Sequence, residues 1–461
     1  MSMHHSSPLG KLRIVIIICC LGLIIGILGY AYLSDKNDSV LDSNEIIGNI
    51  EELGDEDFGY THVSSYAKKY GIGNLNTYKI NAIEEQLEAD FYKPLPEEKD
   101  LAKNACLLFI EHYYNSVDLT DKKAVTDAFL KCFFASIGDP YAFYRTNEEF
   151  MEFMESLQGG EEFVGIGVMM NQETLEILMV YEDSGADAAG IMAGDFIYGV
   201  EDKTINDTPK EELLNLIKGE PDTTVRVTVK RGEELIEFTV VRKTLTEKSV
   251  YYRMGEDKVG YIQIIQFLKD TPAQFEEAVD YCTNGGAVAL VIDVRYNPGG
   301  LLDAVVDVID YLTPDAKERR IGSYTQTGVE HVYYTTDGHS VDLPIAVICN
   351  EGTASAGELF TAAMRDYGND GVLDTVIVGT TTYGKGVAQN SYSLYDMSGI
   401  TYTIGYFNPP CDINFDGVGV NPDFTVNEEN GKDAPLEIAI DKVLEFTNVN
   451  NSATAFIGAA A

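Results

Sequence analysis

Basic residues are scarce in this chain. Lysine and arginine together number 33 against 74 aspartates and glutamates, a formal net charge of −41 over 461 residues. Binding a nucleic-acid backbone takes clustered cations, so nucleic acid is excluded as partner, and a folded part this acidic does not lie on anionic lipid. Cysteine is sparse too. Seven residues are scattered along the chain with no CxxC pair, too few for a disulfide scaffold or a zinc cluster. No internal repeat or low-complexity tract is visible. Apolar material is plentiful: hydrophobic residues make up 45% and aromatics 10%. That excludes a mostly disordered chain and suits roughly two to four domains.

A long uncharged run stands near the N-terminus. Residues 14–33, IVIIICCLGLIIGILGYAYL, are long enough as a helix, at about 1.5 Å per residue, to cross a bilayer core. Lys11 and Arg13 precede the run, and Asp35 and Asp38 follow it. The positive-inside rule then puts residues 1–13 in the cytoplasm and everything after the run outside. No A-x-A site closes the run, and it is long for a signal-peptide core, so it reads as an uncleaved single-pass membrane anchor. Cys19 and Cys20 lie mid-run with no small residue just ahead of Cys19, which speaks against a lipoprotein. The other five cysteines are expected to be small buried hydrophobes.

Beyond the anchor the pattern changes in steps. Residues 34–74 begin polar and acidic and read as a linker. Residues 75–158 carry apolar residues at steps of three and four, as in KNACLLFIEHYYNSV, and read as helices. They are expected either to cap the core or to pair with a second copy, and Gly138-Asp139-Pro140-Tyr141 interrupts them as a turn. From 159 to 243 short alternating runs such as TVRVTVKR indicate a β-rich module. From 244 to 446 strands such as VALVIDV and PIAVICN alternate with helical stretches, which indicates α/β layering. Residues 447–461 read as a small, frayed tail.

Three segments can carry chemistry. In Cys349-Asn350-Glu351-Gly352-Thr353-Ala354-Ser355-Ala356-Gly357-Glu358 a strand ends, a turn follows and a helix begins. Ser355 either caps that helix, with Glu358 completing a capping box, or is a nucleophile on a strand-to-helix turn with the N–H of Ala356 aimed at an oxyanion. None of the six histidines sits in a turn built for catalysis, so a Ser-His-Asp arrangement has little support. The second segment is Thr382-Tyr383-Gly384-Lys385-Gly386-Val387-Ala388-Gln389. An ammonium taken out of water gives up its proton more readily, so a walled-off Lys385 could serve as general base, held by Gln389; the alternative is a solvated turn lysine. The third is Asp293-Val294-Arg295-Tyr296-Asn297-Pro298-Gly299-Gly300, either an ordinary βα turn or the source of a second oxyanion N–H, at Gly300.

The set VIDVRYNPGGLL, NEGTASAGELF and TTYGKGVAQ, in that order, resembles the C-terminal processing peptidases, or tail-specific proteases. FFASIGDPYAFY, the segment from FVGIGVMM to TVRVTVKR, and VGVNPDFTV agree with it, so the resemblance covers roughly residues 75–446. It implies an α/β peptidase core of the crotonase and Clp-protease kind with ββα layers. To this are added an inserted β-rich PDZ domain, an N-terminal helical segment and one transmembrane helix. It further implies a serine endopeptidase with Ser355 as nucleophile, Lys385 as base and Gln389 as its orienter, with Gly300 and Ala356 as oxyanion donors. The PDZ loop Gly165-Ile166-Gly167-Val168 would capture a substrate's C-terminal carboxylate through backbone N–H groups. Partners would be protein or peptide C-termini, and the catalytic part would stand on the extracytoplasmic side of the cell membrane. No cofactor is implied. The chain departs from the family pattern at Asp412-x-Asn414-x-Asp416-Gly417, with Asp423 in the twelfth place, a spacing that fits a calcium loop or an acidic turn. Two rival readings are a silent PDZ-type peptide-binding scaffold and a calcium-regulated adhesion or sensor protein.

Overall fold

A computed structural model describes residues 16–19 and 60–458, apart from 161, 171–173, 182, 247, 315–317, 337 and 428–432. The core of the larger body is a six-stranded sheet. Its order is Val250–Met254, Val259–Ile264, Ala289–Asp293, Ile345–Cys349, Thr375–Gly379, Phe424–Thr425; the first pair is antiparallel and the rest are parallel. The central strands Ala289–Asp293 and Ile345–Cys349 are apolar throughout except for Asp293 at the end of the first, because both faces are covered. Leu290, Ile292, Ile345 and Val347 face the main core, while Ala289, Val291, Ala346 and Ile348 pack with Ala439 and Val443 of the last helix.

On the main-core side lie the helices Thr271–Asn284, Leu302–Leu312 and Ala356–Asn369. A second sheet closes the same core through Ala388, Ile400, Tyr402 and Ile404. Its order is Gly300–Leu301, Ile16–Cys19, Val387–Ser393, Gly399–Asn408, Arg320–Gln326, Val329–Tyr334, with Phe143–Arg145 pairing to Gly399–Asn408. The N-terminal helices belong to that core as well: Ile80, Phe109, Phe129 and Phe133 are buried in it. The helical segment therefore spends its apolar face on the larger body, as the capping alternative of the two expected.

The β-rich module has a core of its own, built from Ile166, Ile177, Ile197, Val227, Leu213 and neighbours. Four antiparallel strands (Lys203–Thr204, Phe196–Val200, Thr224–Arg231 and Glu234–Val241) make its main sheet. Val168–Met170 pairs with Ile177–Val180, and Glu162–Gly165 pairs with Lys243–Thr246, so the module closes three residues beyond the expected boundary at 243.

Two expectations are corrected, and a third falls mostly outside the described residues. The linker already forms a helix at Val63–Lys69, because Val63, Tyr66, Ala67 and Tyr70 make a short apolar stripe that polar neighbours hide. The tail is not frayed from 447: the last helix runs Ala434–Gly458. Within the expected transmembrane helix, Ile16–Cys19 is extended, lying antiparallel between Gly300–Leu301 and Asn390–Ser391. A β-branched Ile run suits a strand where two edges lack a partner. The rest of the expected anchor lies outside the described residues, and among those described no helix is long and apolar enough to cross a membrane.

Candidate active site

Ser355 sits where strand Ile345–Cys349 gives way to helix Ala356–Asn369. Its backbone is at φ 57° and ψ −113°, a conformation that an L-residue adopts only under constraint. The constraint is a net of hydrogen bonds around the turn. Asn350 Oδ1 accepts from Tyr296 N and Gly352 N, Thr353 Oγ1 donates to the Val294 carbonyl at 2.7 Å, and Ala354 N donates to the Asn297 carbonyl at 2.8 Å. The turn is thus stitched to Tyr296-Asn297-Pro298-Gly299, the turn that follows strand Ala289–Asp293.

The hydroxyl bears on the choice between helix cap and nucleophile. Glu358 supplies its half of the capping box, its Oε2 accepting from Ser355 N at 2.8 Å. Ser355 Oγ does not return the bond; it is buried and makes no hydrogen bond among the described residues. A hydroxyl left without a partner in the interior costs on the order of 1–3 kcal/mol. Ala356 opens the helix, where the first N–H groups lack intrahelical acceptors. Gly300 has φ +140°, and a Cβ there would fall 2.1 Å from the Phe267 carbonyl oxygen, so only glycine fits.

Lys385 is not a solvated turn lysine. It is 1% exposed, and its Nζ donates to Gln389 Oε1 at 2.7 Å. The same nitrogen stands 4.1 Å from the ring centroid of Tyr141, and Gln389 Nε2 donates to the Tyr141 carbonyl. Tyr141 is held by Asp139, which accepts from Tyr141 N at 3.0 Å and from Thr403 N at 3.1 Å. Ser355 and Lys385 open on one cavity, walled by Leu302, Ala356, Leu359, Val387, Phe407 and Phe415. They share it without a direct hydrogen bond, since the Ser355 hydroxyl has none. Such contacts are often long in unliganded sites and tighten around substrate.

Glu358 is the residue that the sequence reading missed as more than a cap. Its carboxylate accepts four hydrogen bonds: Ser355 N, Lys385 N at 2.7 Å, Gly384 N at 2.6 Å and Thr382 Oγ1 at 2.5 Å. It is completely buried, and burial pushes its pKa above the ordinary carboxylate value against the pull of those donors. The [ST]-x-x-E signal was present in the sequence, but its meaning depends on a loop 24 to 27 positions away. Tyr141 was legible only as part of a turn.

The histidines are occupied elsewhere. His331 stacks on Tyr324, His339 stacks on Tyr311, and His62 meets Glu84 at 3.2 Å. In the β-rich module the carbonyls of Ile166 and Gly167 accept from Ala186 N and Tyr181 N. Gly167 has φ +81°, and a Cβ there would collide with Ser184 at 2.1 Å. Among the described residues Val168–Met170 pairs with Ile177–Val180 alone, so one strand edge beside the loop is left over.

The acidic loop turns to the lysine rather than outward. Asn414 Nδ2 donates to the Gly386 and Phe407 carbonyls, and Asp416 Oδ1 accepts from Gly386 N at 3.0 Å. Asp423 accepts from Ile377 N at 2.8 Å, and Asp412 pairs with Arg320. Among the described residues no three His, Cys, Asp or Glu side chains are grouped as a metal ion would require.

The structure is thus a layered α/β body in which a strained serine and a buried lysine open on one cavity, with a separately cored β module ahead of it in the chain. Residues 258–426 match peptidase family S41 and residues 163–241 match the PDZ domain. A CtpA-like serine protease of Staphylococcus aureus (strain bovine RF122 / ET3-1) is 31% identical over 355 residues, covering 76% of this chain and 67% of that protein. A CtpA-like serine protease of Staphylococcus haemolyticus (strain JCSC1435) is 31% identical over 290 residues, 62% of this chain, and the chain spans 57% of its length. The crystal structure of a proposed S41 protease from Bacteroides fragilis NCTC 9343 superposes with a TM-score of 0.52 at 17% identity, covering 80% of this chain and 97% of that one, and shares the fold. The chain belongs to peptidase family S41.

Proposed function

We propose that this chain is a serine endopeptidase that engages substrate C-termini through its PDZ domain and cleaves with Ser355 and Lys385. The observation that carries the reading is the Ser355 hydroxyl, buried and without a hydrogen bond, in the cavity that also holds the lysine amine. Lys385, as neutral amine, takes the Ser355 Oγ proton as the Oγ–C bond forms. The N–H groups of Ala356 and Gly300 receive the negative charge on the carbonyl oxygen. The C–N bond then breaks, and the lysine gives its proton to the leaving amine. Water, deprotonated by the same lysine, attacks the Ser355 ester; the acyl–Oγ bond breaks and the proton returns to the serine. Gln389 and the Tyr141 ring hold the amine in place through both halves.

The PDZ loop Gly165–Val168 would bind a terminal carboxylate with backbone N–H groups, and the peptide would add as a strand on Val168–Met170. A net charge of −41 makes a side-chain cation clamp for that anion a poor alternative. In this reading residues 14–33 anchor the protein in the membrane with the catalytic part outside the cytoplasm. A run engaged in the bilayer leaves the strand edges at Gly300–Leu301 and Asn390–Ser391 to an extended substrate. The test is incubation of the purified protein with an unstructured polypeptide bearing an apolar C-terminus. Ser355→Ala and Lys385→Ala should abolish cleavage and keep peptide binding. Lys385→Arg should not restore cleavage, because a guanidinium does not release its proton. Full cleavage by Ser355→Ala would refute Ser355 as nucleophile, and peptide binding without cleavage by wild type would leave only the peptide-binding scaffold.

A further inference from the structure

The segment 412–420, where the chain departs from the family pattern, is built into the wall of the catalytic cavity. Its middle residue, Phe415, is 5% exposed and lines the space onto which Ser355 and Lys385 open. The residues on either side of it grip the backbone of the same residue, Gly386. Asn414 Nδ2 donates to the Gly386 carbonyl at 2.8 Å, and Asp416 Oδ1 accepts from Gly386 N at 3.0 Å. Asn414 Oδ1 in turn accepts from Asp416 N at 2.8 Å, which closes a small ring under the aromatic side chain. Gly417 N donates to the Gly384 carbonyl at 2.8 Å, and Val420 N donates to Thr382 Oγ1 at 2.7 Å. The strap is therefore fastened on both sides of Lys385, and no freedom is left for the ring to swing out without breaking those bonds.

We propose that Phe415 determines which substrate side chain is accepted on the acyl side of the scissile bond, with Asn414 and Asp416 as the positioning residues that hold it there. The inference rests on Ser355 and Lys385 being the catalytic pair. A carbonyl held at Ser355 with its oxygen toward Ala356 N directs the side chain of the same residue into the cavity beside it. That cavity offers no polar group apart from Ser355 and Lys385. Its walls are Leu302, Leu359, Val387, Phe407 and Phe415, so the accepted side chain is apolar, and the two aromatic rings restrict its size. Of these walls only Phe415 comes from the strap, so its replacement changes the room available while the sheet and helix walls stay.

The experiment uses the full chain in detergent with quenched peptides that differ only in the acyl-side residue: alanine, valine, leucine, phenylalanine or glutamate. Wild type should favour the compact apolar residues and reject glutamate. Phe415→Ala should raise kcat/KM for the leucine and phenylalanine peptides relative to alanine by about tenfold or more, the usual size of a pocket effect. Phe415→Leu, which keeps an apolar wall and a folded strap, should move the ratio the same way by less. Asp416→Ala should lower kcat on every peptide, and Asp416→Asn, whose amide oxygen can still accept from Gly386 N, should recover most of it. Unchanged ratios in both Phe415 variants, with Ser355→Ala inactive, would overturn the specificity role and leave the catalytic pair standing. Cleavage that persists in Ser355→Ala would overturn both.

Discussion

Glu358 and Lys385 are joined through the main chain: the lysine N–H donates to Glu358 Oε2 at 2.7 Å, and that same oxygen accepts the N–H of Ser355 at 2.8 Å. One buried oxygen thus fixes the two residues of the proposed catalytic pair relative to each other. Glutamine in its place has one acceptor oxygen where the carboxylate has two, and its NH2 group would confront an N–H. Glu358→Gln is therefore expected to lower kcat by about a hundredfold, comparable with loss of one oxyanion donor. Binding of a C-terminal peptide to the PDZ domain should be unchanged. Steady-state kinetics with a peptide-binding assay checks both, and equal losses in the two would indicate general unfolding.

The same residue should leave a mark on stability. Burial raises the Glu358 pKa above its ordinary value of 4.5. A carboxyl whose pKa is raised on folding binds its proton more tightly in the folded chain. Its contribution is full below pH 4.5 and is lost as pH rises through the raised value. The stability advantage of wild type over Glu358→Gln should therefore shrink with rising pH across that window. Thermal melts of both proteins between pH 4.5 and neutrality measure it. An advantage that grew with pH would mean that the four hydrogen bonds outweigh burial.

Tyr141 reaches the lysine from the helical part of the chain. Its ring faces Lys385 Nζ at 4.1 Å, and its carbonyl accepts from Gln389. The ring walls Nζ and the carbonyl holds the Gln389 amide that orients it, so loss of the side chain leaves the base less well placed. Tyr141→Ala should cost about tenfold in kcat with little change in KM, and Tyr141→Phe, which keeps the ring, should stay close to wild type. Kinetics on the three proteins separates these outcomes. Similar losses for alanine and phenylalanine would assign the effect to the hydroxyl.

The sequence made the active-site strands and turns legible because they are local. IAVIC and VALVI are uniformly apolar and bounded by Gly-containing turns, the pattern of strands covered on both faces. Ser355, Lys385 and Gln389 could each be named, but the meeting of serine and lysine rests on a separation of thirty positions that no periodicity encodes. Glu358 shows the same boundary from the other side. Three residues after Ser355 it fits a cap by spacing alone, and only the fold brings Thr382 and Gly384 to its second oxygen. The Asn414–Asp416 spacing matched a cation loop because it counts oxygens; in the fold Asp416 Oδ1 accepts from Gly386 N, Asn414 Oδ1 accepts from Asp416 N, and Asn414 Nδ2 donates to the Gly386 carbonyl. Val63–Lys69 was hidden because seven residues are too few to establish a period.

The PDZ loop offers a test independent of catalysis. Gly167 holds φ +81°, and an added Cβ would meet Ser184 Cβ at 2.1 Å. Gly167→Ala should strain the loop by about 1–3 kcal/mol and weaken binding of a peptide with a free C-terminus. The amidated peptide should bind weakly to both proteins, since it lacks the anion that the loop N–H groups receive. Fluorescence anisotropy with the two peptides reads this directly. Equal binding of acid and amide by wild type would remove the carboxylate-capture role from Gly165–Val168.

Calcium supplies the last discrimination. A cation in the 412–423 loop would need several oxygens free to converge, yet Asp416 Oδ1 and Asp423 Oδ2 already accept backbone N–H groups and Asp412 is paired with Arg320. Recruiting them would release Gly386 and detach the strap beside Lys385. The melting temperature should therefore be the same in millimolar calcium and in chelator, because a ligand that binds only the folded state raises it in proportion to ln(1 + [L]/Kd). Peptidase activity should likewise be indifferent to chelator. A calcium-dependent rise in melting temperature that Asp416→Ala abolished would return this loop to cation binding and make the grip on Gly386 the metal-free state of a switch.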